Sequence, residues 1–174
     1  MFLWDIDHGY FHDFEIEVNI WGQLNLEMLM TGNVGLTKPT FPLNTDGIDP
    51  SGSNILIERV NITNFDDAIA VKPVNSDFQL VKCSENITAH NMIVRSSFGL
   101  SVGSVPPHDK YNCIKNVTFH DITMHHPIKA IYVKTNSGTT ESMLPGSGGE
   151  ITDITYENID IHRPVWWGIY IGPQ

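Results

Sequence analysis

No stretch of these 174 residues approaches the roughly 20 consecutive apolar residues that a membrane-spanning helix needs, so no membrane partner is expected. Positive charge is scarce. There are 20 acidic residues against 10 basic ones, giving a net charge of −10 and a pI near 5.0. That balance excludes broad binding to a phosphate backbone, so nucleic acid is not an expected partner. An acidic polysaccharide stays open, because a local basic site can sit on an acidic body. Helical periodicity is missing too: no segment carries a sustained apolar stripe at helical spacing. Cysteine is limited to Cys83 and Cys113, too few to indicate a compartment by count alone. The opening residues, MFLWDIDHGYFHDFEIEVNI, lack a basic leader region and place Asp5 and Asp7 where a leader would be apolar. They read as folded structure. The chain is therefore expected to be a fragment, with any signal peptide missing.

What the chain does have is a globular composition, 41% apolar and 17% charged, and a repeat. SNILIERVNITNFDDAIAVKP (53–73) is followed by SENITAHNMIVRSSFGLSVGS (84–104). Then come IKNVTFHDITMHHPIKAIYVKT (114–135) and GEITDITYENIDIHRPVWWGIYIGP (149–173). Each unit ends in a short closing strand. These begin at Gly47, Ala68, Gly99, Ala130 and Gly168, in steps of 21, 31, 31 and 38 residues. The extra length falls in polar, Gly/Pro-rich joints, so insertions decorate one corner of a short coil. Residues rich in β-branching, with alternation as in FEIEVNI (14–20), make these segments strands. The L-x-x-L-x-L framework of a leucine-rich repeat is absent. Three short strands per turn fit a parallel β-helix.

Alternation then assigns faces. Ile69 and Val71, Leu100 and Val102, Ile131 and Val133, and Ile169 and Ile171 are expected to stack inward with Ile48. Gly47, Ala68, Gly99, Ala130 and Gly168 are expected outward, as a groove floor or as an easing of a tight bend. Cys83 and Cys113 each stand three residues before a sequon Asn, hence at equivalent sites on neighbouring coils about 4.8 Å apart. That spacing permits a disulfide; a free buried pair is the alternative. Three N-x-S/T sequons, at Asn61, Asn86 and Asn116, are either glycan acceptors or strand-entry sequence that recurs with the repeat.

One column stands apart. The residues just before the closing strands are Asp46, Asp67, Phe98, Lys129 and Trp167. Asp46 and Asp67 are 21 residues apart, one coil, and Asp66 adds a third carboxylate. Strict alternation would send Asp67 into the core. An unpartnered core carboxylate is very costly, so a bend is expected to break the alternation there. Clustered carboxylates also push at least one pKa upward, which supplies a proton donor near neutral pH.

With these residues in hand, the sequence resembles the family 28 glycoside hydrolases, the polygalacturonases and their relatives. Four short blocks mark that family on a right-handed parallel β-helix. N-T-D stands intact as Asn44-Thr45-Asp46. The second block, usually G-D-D or Q-D-D, is Phe65-Asp66-Asp67. The third, usually G-H-G, is Ser97-Phe98-Gly99, and the fourth, usually R-I-K, is Tyr132-Val133-Lys134. The resemblance implies Asp66 as the general acid, with Asp46 and Asp67 holding and activating water. It also implies substrate contacts from Asn44, Tyr132 and Lys134, the last pointing outward to meet a sugar carboxylate. Family members invert configuration, although carboxylates on adjacent rungs are expected closer than the roughly 6.5–9.5 Å general for inversion.

The departures matter. Phe98 can neither hydrogen-bond nor shuttle a proton. Tyr132 replaces an arginine that clamps a uronate carboxylate, though it can stack on a sugar ring. Altered specificity follows, such as exo-action or a rhamnose-containing or substituted pectin; weak activity is the other outcome. His108 offers a replacement imidazole, yet an exposed His in a Pro-rich turn is the commoner case. His125 and His126 point to opposite sides of a strand and suit a metal poorly, so no metal and no cofactor are expected. Trp167 is either a sugar platform or aromatic packing at a corner.

The expected protein is thus all-β: a single right-handed parallel β-helix (a solenoid) over residues 1–174, incomplete at both ends and part of a longer catalytic domain. It is expected to be a secreted glycoprotein, monomeric at full length, that hydrolyses α-1,4-galacturonosyl linkages in cell-wall pectin. One alternative is a catalytically weakened β-helix that only binds cell-wall polysaccharide. A lyase on the same fold is disfavoured, since no calcium-and-base pattern is evident. A stack cut between coils exposes a strand edge and is expected to aggregate or to be inactive alone.

Overall fold

The computed structural model describes residues 1–19, 44–74, 83–105, 111–135 and 148–173. Every regular element among them is a strand: β1 (Phe2–Glu17), β2 (Asp49–Thr63), β3 (Asp67–Val71), β4 (Cys83–Arg95), β5 (Gly99–Val102), β6 (Tyr111–His125), β7 (Lys129–Thr135), β8 (Gly148–His162) and β9 (Trp167–Pro173). The long strands form one parallel sheet in the order β1-β2-β4-β6-β8, and the short ones form a second, β3-β5-β7-β9. Each repeat therefore lies directly on the previous one, as a parallel β-helix requires. No described helix is long and apolar enough to cross a membrane.

The long strands are not straight. Each turns at single residues in the left-handed region, in two aligned columns. One is His8, Asn54, Asn86, Asn116 and Asp153; the other is Asp13, Arg59, Asn91, Asp121 and Asn158. All of these have φ between 51° and 65°. Asn and Asp tolerate that conformation better than other residues with a Cβ, which explains their prevalence at the corners. The first column also bonds along the stack. Asn116 Nδ2 donates to Asn86 Oδ1 (2.6 Å), Asn86 Nδ2 to Asn54 Oδ1 (3.1 Å), and Asn54 Nδ2 to Asp7 Oδ1 (3.2 Å). Two of the three sequon asparagines are thus corner residues of the repeat.

Stacking aligns like with like. Ile55, Ile87, Val117 and Ile154 share one ladder, and Ile62, Val94, Met124 and Ile161 another. On the short strands Ile69, Leu100, Ile131 and Ile169 align, as do Val71, Val102, Val133 and Ile171. The inward ladder expected from alternation is buried at Ile48, Ile69, Val71, Leu100, Val102 and Ile131, whereas Ile169 and Ile171 continue its register on the last described rung and are exposed. Burying one such side chain stabilises by roughly 1.5–3 kcal/mol, so the ladders dominate the core.

The Gly/Ala column is a correction. Ala68 and Ala130 are fully buried members of the core, and a Cβ on Gly47 would meet the Ile62 side chain at 3.0 Å. Ala68 and Ala130 face inward at a corner, beside the inward residue that follows them, and a Cβ on Gly99 would run into the Ala130 and Lys129 carbonyl oxygens of the next rung. Two consecutive residues share the core there, so the first must be small. Their smallness eases the bend; it floors no groove. The same doubling puts a register shift between Asp67 and Ile69, where a break was expected.

Cys83 and Cys113 are register partners with Cα atoms 4.7 Å apart, and they are disulfide-bonded. The bridge staples adjacent coils across a span of 30 residues. Replacing both cysteines with serine should lower the unfolding free energy by about 3–4 kcal/mol, as loop-closure entropy returns to the unfolded chain. Urea unfolding of the double variant beside the oxidised protein checks this.

Candidate active site

The corner before β3 positions the carboxylates. Gly47 N–H donates to Asp67 O (2.9 Å) and Ile48 N–H donates to Ala68 O (3.0 Å), so the rung of Asp46 lies flat on that of Asp66 and Asp67. Asn64, fully buried, locks the two together. Its Nδ2 donates to Thr45 O (2.9 Å) and to Asp67 O (2.7 Å). Oxygens of Asp46, Asp66 and Asp67 all lie within 4.8 Å of one another. The three aspartates predicted from sequence do converge, and more tightly than the roughly 6.5–9.5 Å between the carboxyl groups of inverting pairs.

Asp66 is held from three rungs. Its Oδ2 accepts the Asn44 N–H (2.8 Å) and its Oδ1 accepts the Asp67 N–H (2.9 Å). Its main-chain oxygen accepts the Phe98 N–H and the Ser97 hydroxyl, both at 2.8 Å. The side chain is thereby fixed while remaining partly exposed. Asp67 is different. Only 1% exposed, it accepts the Ser101 hydroxyl on Oδ1 (2.6 Å), and its Oδ2 is ion-paired with Lys134 Nζ.

Lys134 was expected to point outward to a substrate carboxylate. The structure corrects its surroundings: it is 3% exposed and its ammonium is committed to Asp67. The reason is the break at Asp67. Once that carboxylate leaves the core side it lies buried on the outer face, and a buried charge requires a counter-charge. Tyr132 is buried beside it, at 4% exposure. Asn44 is exposed, with φ of 59°, and bonds Asp66 through its backbone.

These residues border a cleft of about 290 Å³, lined by Asn44, Asp66, Asp67, Phe98, Lys129, Tyr132 and Lys134. Asp46 opens instead on an adjoining depression of about 280 Å³, shared with Asn44 and Asp49. A larger depression of about 540 Å³ runs along Val105, Ile151 and Thr152 and has none of the three aspartates on its walls. Phe98 does stand in the cleft where the family places histidine. His108 lies outside the described residues. Trp167, 48% exposed, packs on Tyr170 (5.1 Å) and Trp166 (5.5 Å). His125 stacks on His162 one rung away (5.1 Å).

Burial raises the pKa of Asp46, and the neighbouring Asp66 and Asp67 charges push it further the same way. Asp49 is raised to about 7, first by burial and then by Asp46, with Lys72 pulling in the opposite direction. Its Oδ1 is buried without a hydrogen bond among the described residues. Sequence reasoning assigned no role to Asp49, Asn64, Ser97, Ser101 or Lys129.

Comparison with known proteins now assigns the class: a polysaccharide-cleaving hydrolase family built on stacked parallel coils. The family model described as Glycosyl hydrolases family 28 matches residues 17–173, and the chain belongs to that family. It is 36% identical over 129 residues to a probable endopolygalacturonase C of Aspergillus aculeatus, covering 74% of this chain and 29% of that protein. It is 32% identical over 130 residues to exopolygalacturonase X-1 of Emericella nidulans, covering 71% of this chain and 28% of that protein. The crystal structure of endo-xylogalacturonan hydrolase from Aspergillus tubingensis superposes with a TM-score of 0.55 at 27% identity, over 70% of this chain and 29% of that one. The chain spans under a third of the length of these relatives.

Two outcomes follow. Lys134→Met should destabilise by about 3–5 kcal/mol by stranding the buried Asp67 charge, and adding Asp67→Asn should recover much of the loss; denaturant unfolding measures both. Asp49 titrates in the folded state above its ordinary 3.8, so it opposes folding increasingly between about pH 4 and 7 and fully above. Asp49→Asn should therefore raise Tm by roughly a few degrees at pH 8 and leave it unchanged at pH 3.

Proposed function

We propose that this protein is a glycoside hydrolase that cleaves α-1,4-galacturonosyl linkages in pectin. The observation that carries this reading is the convergence of Asp46, Asp66 and Asp67 within 4.8 Å beside an open cleft. Glycoside hydrolysis needs one carboxyl group to protonate the leaving oxygen and another to activate water. A water can hydrogen-bond two carboxylate oxygens at once across about 5 Å, so this cluster has the span to hold the nucleophile. Asp66, at the cleft wall and fixed by backbone donors, serves as the acid. Asp46 and Asp67 orient the water, and Lys134 holds Asp67 in place by charge pairing.

A second assignment within the same chemistry has one observation behind it. Asp46 has the raised pKa, so it retains a proton at higher pH than an ordinary aspartate. The two acids are told apart by leaving group. A variant lacking the acid keeps its activity on an aryl galacturonide whose leaving group needs no proton, and loses it on the polymer.

The site works outside the cell in this reading. The Cys83–Cys113 bridge supports it, because such bridges persist in oxidising compartments. The exposed Asn61 is the sequon least engaged by the corner ladder and the best glycan acceptor. Residues 1–174 are one β-helix unit of a longer catalytic domain, given the share of each relative that they match.

Asp66→Asn should reduce reducing-sugar release from polygalacturonic acid by about 10²–10⁴-fold. Undiminished release by this variant would remove the assignment, and binding without any release by the unmutated protein would favour a binding module instead.

A further inference from the structure

We infer that Lys129, which lies outside the family's four sequence blocks, is the residue that recognises a uronate carboxylate in this cleft, held for that role by a cage of aromatic rings. This rests on the galacturonan reading above and names the group that selects the acidic sugar.

The family resemblance places an arginine at position 132, where this chain has Tyr132, and Lys134 is buried in its pair with Asp67. Of the two lysines that line the cleft, only Lys129 is not ion-paired to a described carboxylate. Its ammonium sits 3.8 Å from the Tyr132 ring centroid and 4.3 Å from that of Tyr170. Phe98 and Trp167 close the cage at 5.7 and 5.9 Å. Both departures from the family pattern thus have one explanation. Tyr132 and Phe98 replace the arginine and the histidine, and both become walls around a cation that has moved three residues along the chain.

Ring faces attract a cation without neutralising it, so the full charge remains available to an incoming anion. Burial among the rings lowers the Lys129 pKa, while Asp67 raises it and Lys134 lowers it. A partly dehydrated ammonium binds a carboxylate more strongly than a fully hydrated one, because less water must be displaced. Trp167, 48% exposed, offers an apolar face to the sugar beside the carboxylate. Lys129 and Asp66 border one cleft, so the recognised sugar sits next to the cleaved bond.

The test is calorimetric binding in an Asp66→Asn background, where the ligand survives. A short oligogalacturonate and its methyl ester are titrated into that protein and into versions also carrying Lys129→Met or Lys129→Arg, each checked for an unchanged melting transition. Lys129→Met should weaken the acidic oligomer by about 10- to 100-fold, leave the methyl ester within about twofold, and be largely rescued by arginine. Equal binding of the acidic oligomer with and without Lys129 overturns the inference. So does an equal loss for acid and ester, which would mean packing and not charge, and so does failure of the unmutated cleft to bind the acidic oligomer. Hydrolysis is scored separately on protein with Asp66 intact: charge-selective binding without cleavage would sink the hydrolase reading and leave the role of Lys129 standing.

Discussion

Residue-for-residue stacking of parallel rungs is the constraint on which everything else depends. Once β2, β4, β6 and β8 are in register, each side chain finds its counterpart one coil away. Apolar positions become ladders, corner positions become columns of left-handed Asn and Asp, and the two cysteines meet. The site is a product of the same rule. Asp46 and Asp66 are distant in sequence and adjacent in space only because Gly47 and Ile48 hydrogen-bond flat onto the following rung.

The corner that carries the aspartates is one of the places where the rule is broken, as it also is between Leu3 and Ile6. Ala68 and Ile69 both turn inward, and that doubling throws Asp67 to the outside. A carboxylate buried there demands a cation, and Lys134 supplies it from two rungs away through the register of β3, β5 and β7. Ser101 adds a hydroxyl from the rung between. The geometry of the carboxylate cluster and the stability of the fold are therefore joined at a single side chain: whatever disturbs the pair shifts both the corner and the carboxylates beside it. Asn64 and the Asp66 backbone contacts make the same link by neutral hydrogen bonds.

Much of this was legible in the sequence, and the reason is periodicity. A repeat of closing strands fixes the solenoid, the inward ladders, the pairing of Cys83 with Cys113 and the adjacency of Asp46 to Asp66-Asp67. What periodicity cannot convey is any local departure from it. The Gly/Ala column was assigned outward because alternation was carried through a corner where two successive residues face in. Lys134 was assigned to substrate because its strand position was visible and its partner's displacement was not. Lys129 was passed over as one member of a mixed column; its meaning lies in ring faces contributed by four separate residues. The raised pKa of Asp49 likewise comes from burial that no spacing reveals.

The relation between the changed shell and the retained aspartates is the main chemical consequence. Losing the histidine and the arginine of the family pattern does not leave an empty cleft; it leaves an aromatic one with Lys129 caged among the rings. The most direct measurement is a crystal structure of the Asp66→Asn protein with an oligogalacturonate bound. The oligomer should lie across the cleft, with a glycosidic oxygen within hydrogen-bond reach of residue 66 and a sugar carboxylate on Lys129. An oligomer seated elsewhere on the solenoid, with no atom near Asp46, Asp66 or Asp67, would contradict it.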